Sequence, residues 1–233
     1  MDEVFDLDDL GSDAEAKIPL IGDKAPEFHA NTTNGTIKFP DDFVGNWVVF
    51  FSHPSDFTPV CTTEFIAFQN TINDFDKMNV RLLGLSVGAL TSHLGWIDAI
   101  EHMTDGTKIT FPVIDDLDMR IAKKYGMIHK SSSDTHAVRA VFLIDPNSVI
   151  RAILYYPASL GRNMSEIWRM LVGLQTADIF GVATPANWMP GDNVLGSAPN
   201  TVAAMRKNTD NNPWFMTYKK LDKEKIYEKI CKK

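Results

Sequence analysis

The 233-residue sequence predicts an α/β sandwich, a central mixed sheet with flanking helices, followed by a small C-terminal extension. Three observations carry that prediction. Short β-branched and aromatic runs at Trp47–Phe51, Val80–Gly88 and Arg139–Ile144 read as buried strands. Stretches with apolar residues at helical spacing lie between and after them, at Pro59–Phe75, Leu90–Met103, Leu117–Tyr125 and Met164–Phe180. From Thr184 to Asn200 the composition shifts, with three prolines and two glycines, to a linker or ordered arm.

Each element has its own local cause. Residues 2–15 hold seven acids, so the net charge of −7 sits almost wholly at the N-terminus and residues 1–17 read as a mobile acidic leader. The main domain is expected over 18–183 and the C-terminal arm over 184–233. Asn31-Thr32-Thr33-Asn34-Gly35 has turn chemistry and closes a hairpin with Thr36–Phe39. Asp41–Phe43 is a short helical turn that ends at Gly45-Asn46. The Trp47 run leads into His53-Pro54, where the proline forbids regular pairing and holds His53 extended. Thr58 is a good N-cap and Pro59 suits the first helical position. The helix that follows turns Cys61, Phe65, Phe68, Ile72 and Phe75 to one face. Thr91 or Ser92 stands near the N-cap of the second helix. Phe111–Ile114 is a short strand whose proline marks an edge or a strand start. Gly126 stops the helix over 117–125 at C′. Asp145–Ser148 is a turn that sends Val149–Tyr155 back antiparallel to Arg139–Ile144. The helix over 164–180 has Ile167, Met170, Leu171, Leu174 and Ala177 as its buried stripe. Leu221–Lys233 is a lysine-rich amphipathic helix with Ile226, Tyr227 and Ile230 on its apolar side.

Composition narrows the function. A hydrophobic fraction of 44% is that of a globular protein, and no apolar run approaches a membrane span. The acidic N-terminus lacks the layout of a signal peptide, so the expected location is cytoplasmic, with no membrane partner. Nothing in the charge balance points to nucleic acid. Two cysteines, Cys61 and Cys231, are too few for a disulfide scaffold. Neither has a CxxC partner, and His93, His102, His129 and His136 lack metal-ligand spacing, so neither a metal nor a bound cofactor is expected.

Chemistry concentrates at His53-Pro54-Ser55-Asp56-Phe57-Thr58-Pro59-Val60-Cys61-Thr62-Thr63-Glu64. A cysteine in the first turn of a helix meets the positive end of the macrodipole and unpaired N–H groups, which favour the nucleophilic thiolate. Strand, proline-marked turn and helix with a cysteine in its first turn make a thioredoxin-like arrangement with a single cysteine. Taken alone, Cys61 is equally a buried structural cysteine. His53 reads either as a hydrogen-bonding group near the sulfur or as a buried ring satisfied by backbone. Glu64, one turn on, reads as an anchor for an arginine.

Pro54-x-x-x-Thr58-x-x-Cys61 resembles the active-site signature of peroxiredoxins, the thiol peroxidases. The wider string Phe51–Glu64 is most similar to their one-cysteine subgroup, and the resemblance extends over roughly 18–215. Gly22–Phe28 resembles the family's opening segment, an edge piece on the sheet. Thr184–Gly191 resembles the junction to the subgroup's C-terminal domain. The resemblance implies a peroxidase domain over 18–183 and a dimerisation role for 184–233. It implies reduction of hydrogen peroxide and organic hydroperoxides through a sulfenic acid at Cys61, with Pro54, Thr58 and Arg139 in the active site. Thr58 and Arg139 would hold the peroxide, and Arg162, His53 and Glu64 would support them. Read from position alone, Arg139 is equally a strand-end charge and Arg162 a loop residue before a helix. The resemblance also implies a homodimer or a ring of dimers and an external thiol reductant of the thioredoxin, glutathione or other type. Cys231 is either an unused terminal thiol or the resolving thiol that some relatives carry near the C-terminus. Val44-Gly45-Asn46 stands where certain relatives place Gly-Asp-Ser of a phospholipase site, so that activity is not expected. Two alternative functions remain from sequence, a redox sensor or disulfide exchanger on the same fold and an oligomeric holdase chaperone.

Overall fold

Alternating strand and helix signals, with a final antiparallel return, wind the chain into one seven-stranded sheet. The computed structural model describes residues 18–207 and 213–231; the expected acidic leader lies outside the described residues. A hairpin of β1 (Phe28–Thr32) and β2 (Gly35–Phe39) is followed by β3 (Trp47–Ser52), β4 (Val80–Ser86) and β5 (Val113–Asp115). β6 (Arg139–Ile144) and β7 (Ile150–Tyr156) complete the sheet, in the order β2-β1-β5-β4-β3-β6-β7. β3, β4 and β5 run parallel; β6 is antiparallel to β3, with Phe51 opposite Val141. This mixed sheet, flanked by α1 (Pro59–Lys77), α2 (Leu90–Met103), α3 (Arg120–Lys124) and α4 (Met164–Phe180), is thioredoxin-like.

All six residues of β3 are buried, as expected of a strand covered on both faces. Val49 and Phe51 pack toward Phe65 and Phe68 of α1, Trp96 of α2 and Ile167 of α4. Val48 and Phe50 pack on the other face with Phe28, Phe39, Tyr125 and Phe142. Each fully buried side chain of this size contributes about 1.5–3 kcal/mol, so β3 is pinned from both sides where it delivers the chain to His53.

The described residues after α4 form an arm. It holds β8 (Val194–Leu195), α5 (Val202–Arg206), β9 (Tyr218–Lys219) and α6 (Lys223–Ile230). Trp188, Leu221, Ile226 and Ile230 join the same apolar cluster as Phe65 and Phe68. The arm therefore completes the core.

Several local expectations change. The opening segment pairs with the start of β7, through Gly22 N to Ile150 O (2.8 Å) and Ala25 N to Ser148 O (2.8 Å). β1 alternates buried and exposed residues, a strand that polar His29 and Asn31 conceal in the sequence. The helix expected over 117–125 begins only at Arg120, because Met119 takes a left-handed φ of 59°. Asp116 accepts the N–H groups of Ile121 (2.9 Å) and Ala122 (2.7 Å) at its start. It ends as expected, with Gly126 at φ 65°, where a Cβ would fall 2.6 Å from Ile18 Cγ2. α2 has Ala89 at its N-cap, with no side-chain cap from Thr91 or Ser92. On α4, Met170, Leu174 and Ala177 are only partly buried, while Val172, Gly173, Gln175 and Thr176 are buried. α6 is shorter than the expected 221–233, and Lys232 and Lys233 lie outside the described residues.

Candidate active site

The first turn of α1 carries the sulfur. Thr58 has extended backbone at the N-cap, Pro59 follows at N1, and Cys61 is the third helical residue, fully buried. Thr58 does not cap the helix with its side chain. Its hydroxyl donates instead to Ser55 O (2.9 Å), while its carbonyl accepts from Thr62 N (3.0 Å). Pro54 and Thr58 are half-buried on the turn before the helix.

Arg139 opens β6, and the antiparallel pairing with β3 brings it across to α1. Its Nη1 stands 3.2 Å from Cys61 Sγ and 2.7 Å from Glu64 Oε2. Nε and Nη2 both donate to Ala158 O, at 3.1 and 2.8 Å. The planar fork thus grips the loop before α4 with one edge and faces the sulfur with the other.

Glu64 joins two cations. Arg162 donates to Oε1 from its backbone N (2.8 Å) and Nε (2.9 Å), and to Oε2 from Nη2 (2.6 Å). Arg162 Nη1 reaches Ser52 O (2.9 Å) and Ala140 O (3.1 Å), tying α1 to β3 and β6. The same guanidinium lies over the rings of Phe51 and Phe68, at 5.0 and 5.3 Å. Burial alone would raise the Glu64 carboxyl, but the hydrogen bonds and charge of Arg162, with the charge of Arg139, hold it below its ordinary value. Burial lowers Arg162 against the pull of Glu64; a guanidinium titrates so high that it stays charged. Two buried cations and one carboxylate leave a net positive charge beside the sulfur.

His53 is fully buried, and its Nε2 bonds Asp56 Oδ1 at 2.9 Å, a partner that the sequence reading did not offer. Asp56 Oδ2 also accepts from Ser92 Oγ (2.7 Å) and contacts His93 Nδ1 (2.7 Å). Burial pushes the His53 ring down from its ordinary value, against Asp56. Burial would raise Asp56, but its bonds to His53 and His93, with Ser92, hold it far below the usual range. This network was missed. The His-x-x-Asp spacing is a local signal for its first half, but the second half requires knowing where α2 packs.

Cys231 lies elsewhere. It is partly buried in a cavity of about 380 Å³ lined by Asp74, Lys77, Met78, Trp168, Lys223 and Tyr227, at the far end of α1. The sixteen helical rises from Cys61 to Lys77 span about 24 Å, so the two thiols of one chain stand well beyond disulfide reach. Burial, with Asp74, pushes the Cys231 thiol up against Lys77.

With this geometry in place, the comparisons with known proteins are direct. The profile described as the AhpC/TSA family matches residues 21–153, and that of the C-terminal domain of 1-Cys peroxiredoxin matches 173–209. A peroxiredoxin of Methanosarcina mazei is 50% identical over 215 residues, covering 87% of this chain and 98% of that protein. A peroxiredoxin of Aquifex aeolicus is 54% identical over 173 residues, covering 74% and 78%. Among solved structures, a yeast mitochondrial 1-Cys peroxiredoxin superposes with a TM-score of 0.79 at 39% identity, covering 88% of this chain and 100% of its own. The peroxiredoxin 6 of Arenicola marina does so with a TM-score of 0.77 at 32% identity, covering 86% and 97%. A first-turn cysteine facing a buried arginine, on this sheet and with this arm, is thus set among close relatives, and the chain belongs to the peroxiredoxin family of thiol-dependent peroxidases.

Proposed function

We propose that Cys61 is the peroxidatic nucleophile and that it reduces hydrogen peroxide and small organic hydroperoxides. The observation that carries this reading is the 3.2 Å contact of Arg139 Nη1 with Cys61 Sγ. The thiolate attacks one peroxide oxygen in line with the O–O bond. An S–O bond forms, the O–O bond breaks, and the departing oxygen takes a proton and leaves as water or alcohol. Arg139 donates to the oxygens as negative charge moves onto the leaving one. The Thr58 hydroxyl has its donor committed to Ser55 O, so toward a peroxide it acts as an acceptor. Pro54, half-buried, sets the turn that leads from β3 into α1. Glu64 and Arg162 keep the fork of Arg139 in place. A disulfide exchanger needs no such donor at its sulfur, which favours the peroxidase reading.

The product is a Cys61 sulfenic acid, which a thiol must reduce before it oxidises further. We assign that step to an external thiol, because Cys231 of the same chain lies at the other end of α1. The yeast structure is described with a thiol-resolving mechanism via glutathione and thioredoxin systems, which supports an external reductant. Two separate thiols suit a reducing cytoplasm. Beyond Ile150 the outer edge of β7 carries no strand partner among the described residues, and Tyr155 on it is exposed; that edge suits pairing of two copies into a homodimer. The reading keeps a peroxidase domain over 18–183 and an arm over 184–233.

Intact-mass spectrometry after one equivalent of hydrogen peroxide, with dimedone present, tests the assignment. The expected result is a persistent dimedone adduct on Cys61, absent in Cys61→Ser. A Cys61–Cys231 disulfide between chains formed in place of the adduct would move resolution to the arm of a partner copy. No reaction at Cys61 would overturn the assignment.

A further inference from the structure

Asp56 is the meeting point of a buried polar network that the peroxide chemistry above does not use. It lies in the turn that carries Pro54 and Thr58, two residues before Thr58, and is buried. His53 Nε2 reaches Oδ1, and Ser92 Oγ and His93 Nδ1 both reach Oδ2. Two of these three partners belong to α2, which makes no other hydrogen bond to the turn among the described residues. His93 is itself fully buried, and its second nitrogen, Nε2, stands 3.2 Å from Ile114 O on β5. Room for the ring is built in, since a Cβ on Gly88 would come 3.1 Å from His93 Cε1.

The donor roles follow from chemistry. An ionised carboxylate only accepts, so the nitrogens that face Asp56, Nε2 of His53 and Nδ1 of His93, each carry a proton; the carbonyl of Ile114 also only accepts, so Nε2 of His93 donates in that bond as well. His53 is thereby fixed as the Nε2–H tautomer. Its Nδ1 has no hydrogen-bond partner, so nothing on that side competes to turn the ring. The backbone of His53 is held separately, by its N–H to Leu85 O at 2.9 Å. The turn from Pro54 to Thr58 has no equivalent ladder. Its side-chain bonds to α2 run through Asp56, to Ser92 and His93.

We infer that His93 is a positioning residue for the peroxide reaction, which holds Asp56 and through it the tautomer of His53 and the Pro54–Thr58 turn ahead of Cys61. This rests on Cys61 as the nucleophile. Loss of His93 leaves Asp56 held by His53 and Ser92 alone, and the turn ahead of Cys61 loses its tie to β5 through His93. A displacement of this kind changes reaction geometry without touching a reacting atom.

Two conservative variants separate positioning from mere packing. In His93→Asn the amide nitrogen occupies the place of Nδ1 and keeps the bond to Asp56. In His93→Gln it occupies the place of Nε2 and keeps the bond to Ile114 instead. The readout is the single-turnover rate of sulfenic acid formation on the reduced, full-length protein, with wild type and Cys61→Ser as controls. His93→Asn is expected to keep most of the rate, and His93→Gln to lose on the order of tenfold to a hundredfold. Equal rates in the two variants, or a faster His93→Gln, would overturn the inference. An unreactive wild type would instead sink the nucleophile assignment, so the two failures are distinct. A second readout needs no peroxide: ring 15N spectra of reduced wild type should show His53 protonated at Nε2 and His93 at Nδ1. The same His53 signature should persist in His93→Asn and change in His93→Gln. A His53 proton on Nδ1 in the wild type would overturn the inference even where a variant fails to fold.

Discussion

Replacing Glu64 by glutamine should damage fold and chemistry together, by amounts that the site geometry sets. Four N–H donors converge on this carboxylate, three from Arg162 and one from Arg139, all within 2.6–2.9 Å. Glutamine keeps one oxygen, so one pair of donors meets an N–H group instead, and the two buried guanidiniums lose their shared counter-charge. Removing one partner of a buried ion pair costs about 3–5 kcal/mol. The retained oxygen places Glu64→Gln near the lower end, about 3 kcal/mol, which for a chain of this size lowers Tm by about 6–12 °C. Arg139 stays attached to Ala158 O but loses the bond that aims Nη1, so the rate of Cys61 oxidation should fall about tenfold. Circular-dichroism melts and stopped-flow peroxide reaction read the two effects. The sign with pH is also fixed. Glu64 is held below its ordinary value of 4.5, so its stabilisation is complete above that value and is lost as pH falls through the lower folded value. The difference between wild type and Glu64→Gln should therefore shrink in acid. A Tm within about 2 °C of wild type together with an unchanged rate would refute the electrostatic account of the site.

Arg139→Lys keeps the charge but not the fork, and one ammonium cannot serve Cys61, Glu64 and Ala158 together; peroxide attack should slow about tenfold to a hundredfold, and a wild-type rate would show that charge alone suffices. Burial pushes the Asp116 carboxyl up to about 6, so its protonated form stabilises the fold and that contribution is lost as pH rises from 3.8 to about 6. Asp116→Asn removes this titration along with one of two caps on α3. Its stability deficit should be larger at pH 4 than at pH 7 in parallel thermal melts. Ile226→Ala, at a fully buried position in α6, should cost about 2–5 kcal/mol and speed reaction of Cys231 with a thiol reagent. Unchanged melting and labelling would mean that the arm is not part of the core.

Much of this was readable before the structure, where the signal is local. The Trp47 run, the proline at N1 and the apolar face of α1 place Cys61 in a first helical turn with no tertiary knowledge. Glu64 read as an arginine anchor, and it anchors two. What escaped depends on distant residues. His53 and Asp56 are three apart and suggest each other, but His93 lies 37 residues from Asp56 and joins it only through the packing of α2. Thr58 looked like a side-chain cap, yet Ser55 O captured its hydroxyl, a competition between equivalent local bonds that composition cannot rank. The start of α3 moved because Asp116 turns its carboxylate onto the helix and Met119 takes a left-handed turn, neither of which periodicity registers. Thr184–Asn200 read as a linker or an ordered arm rather than a core element because its prolines and glycines mask Trp188, which is buried.

The placing of Glu64 also sets the order in which the molecule can be assembled. Its two cations lie 75 and 98 residues further along the chain. At roughly 5–20 residues per second, synthesis delivers Arg139 several seconds after α1 is complete. Until then, packing α1 onto β3 and β4 would bury a carboxylate without its counter-charges, which disfavours an early compact half. Early closure of the parallel β3–α1–β4 unit is thus disfavoured until β6 and the loop before α4 supply the guanidiniums. In native-state hydrogen exchange, amides of α1 and β6 should then open at one common free energy; a lower value for α1 alone would contradict this. A packed Cys61 without Arg139 is thereby a costly stage for the nascent chain.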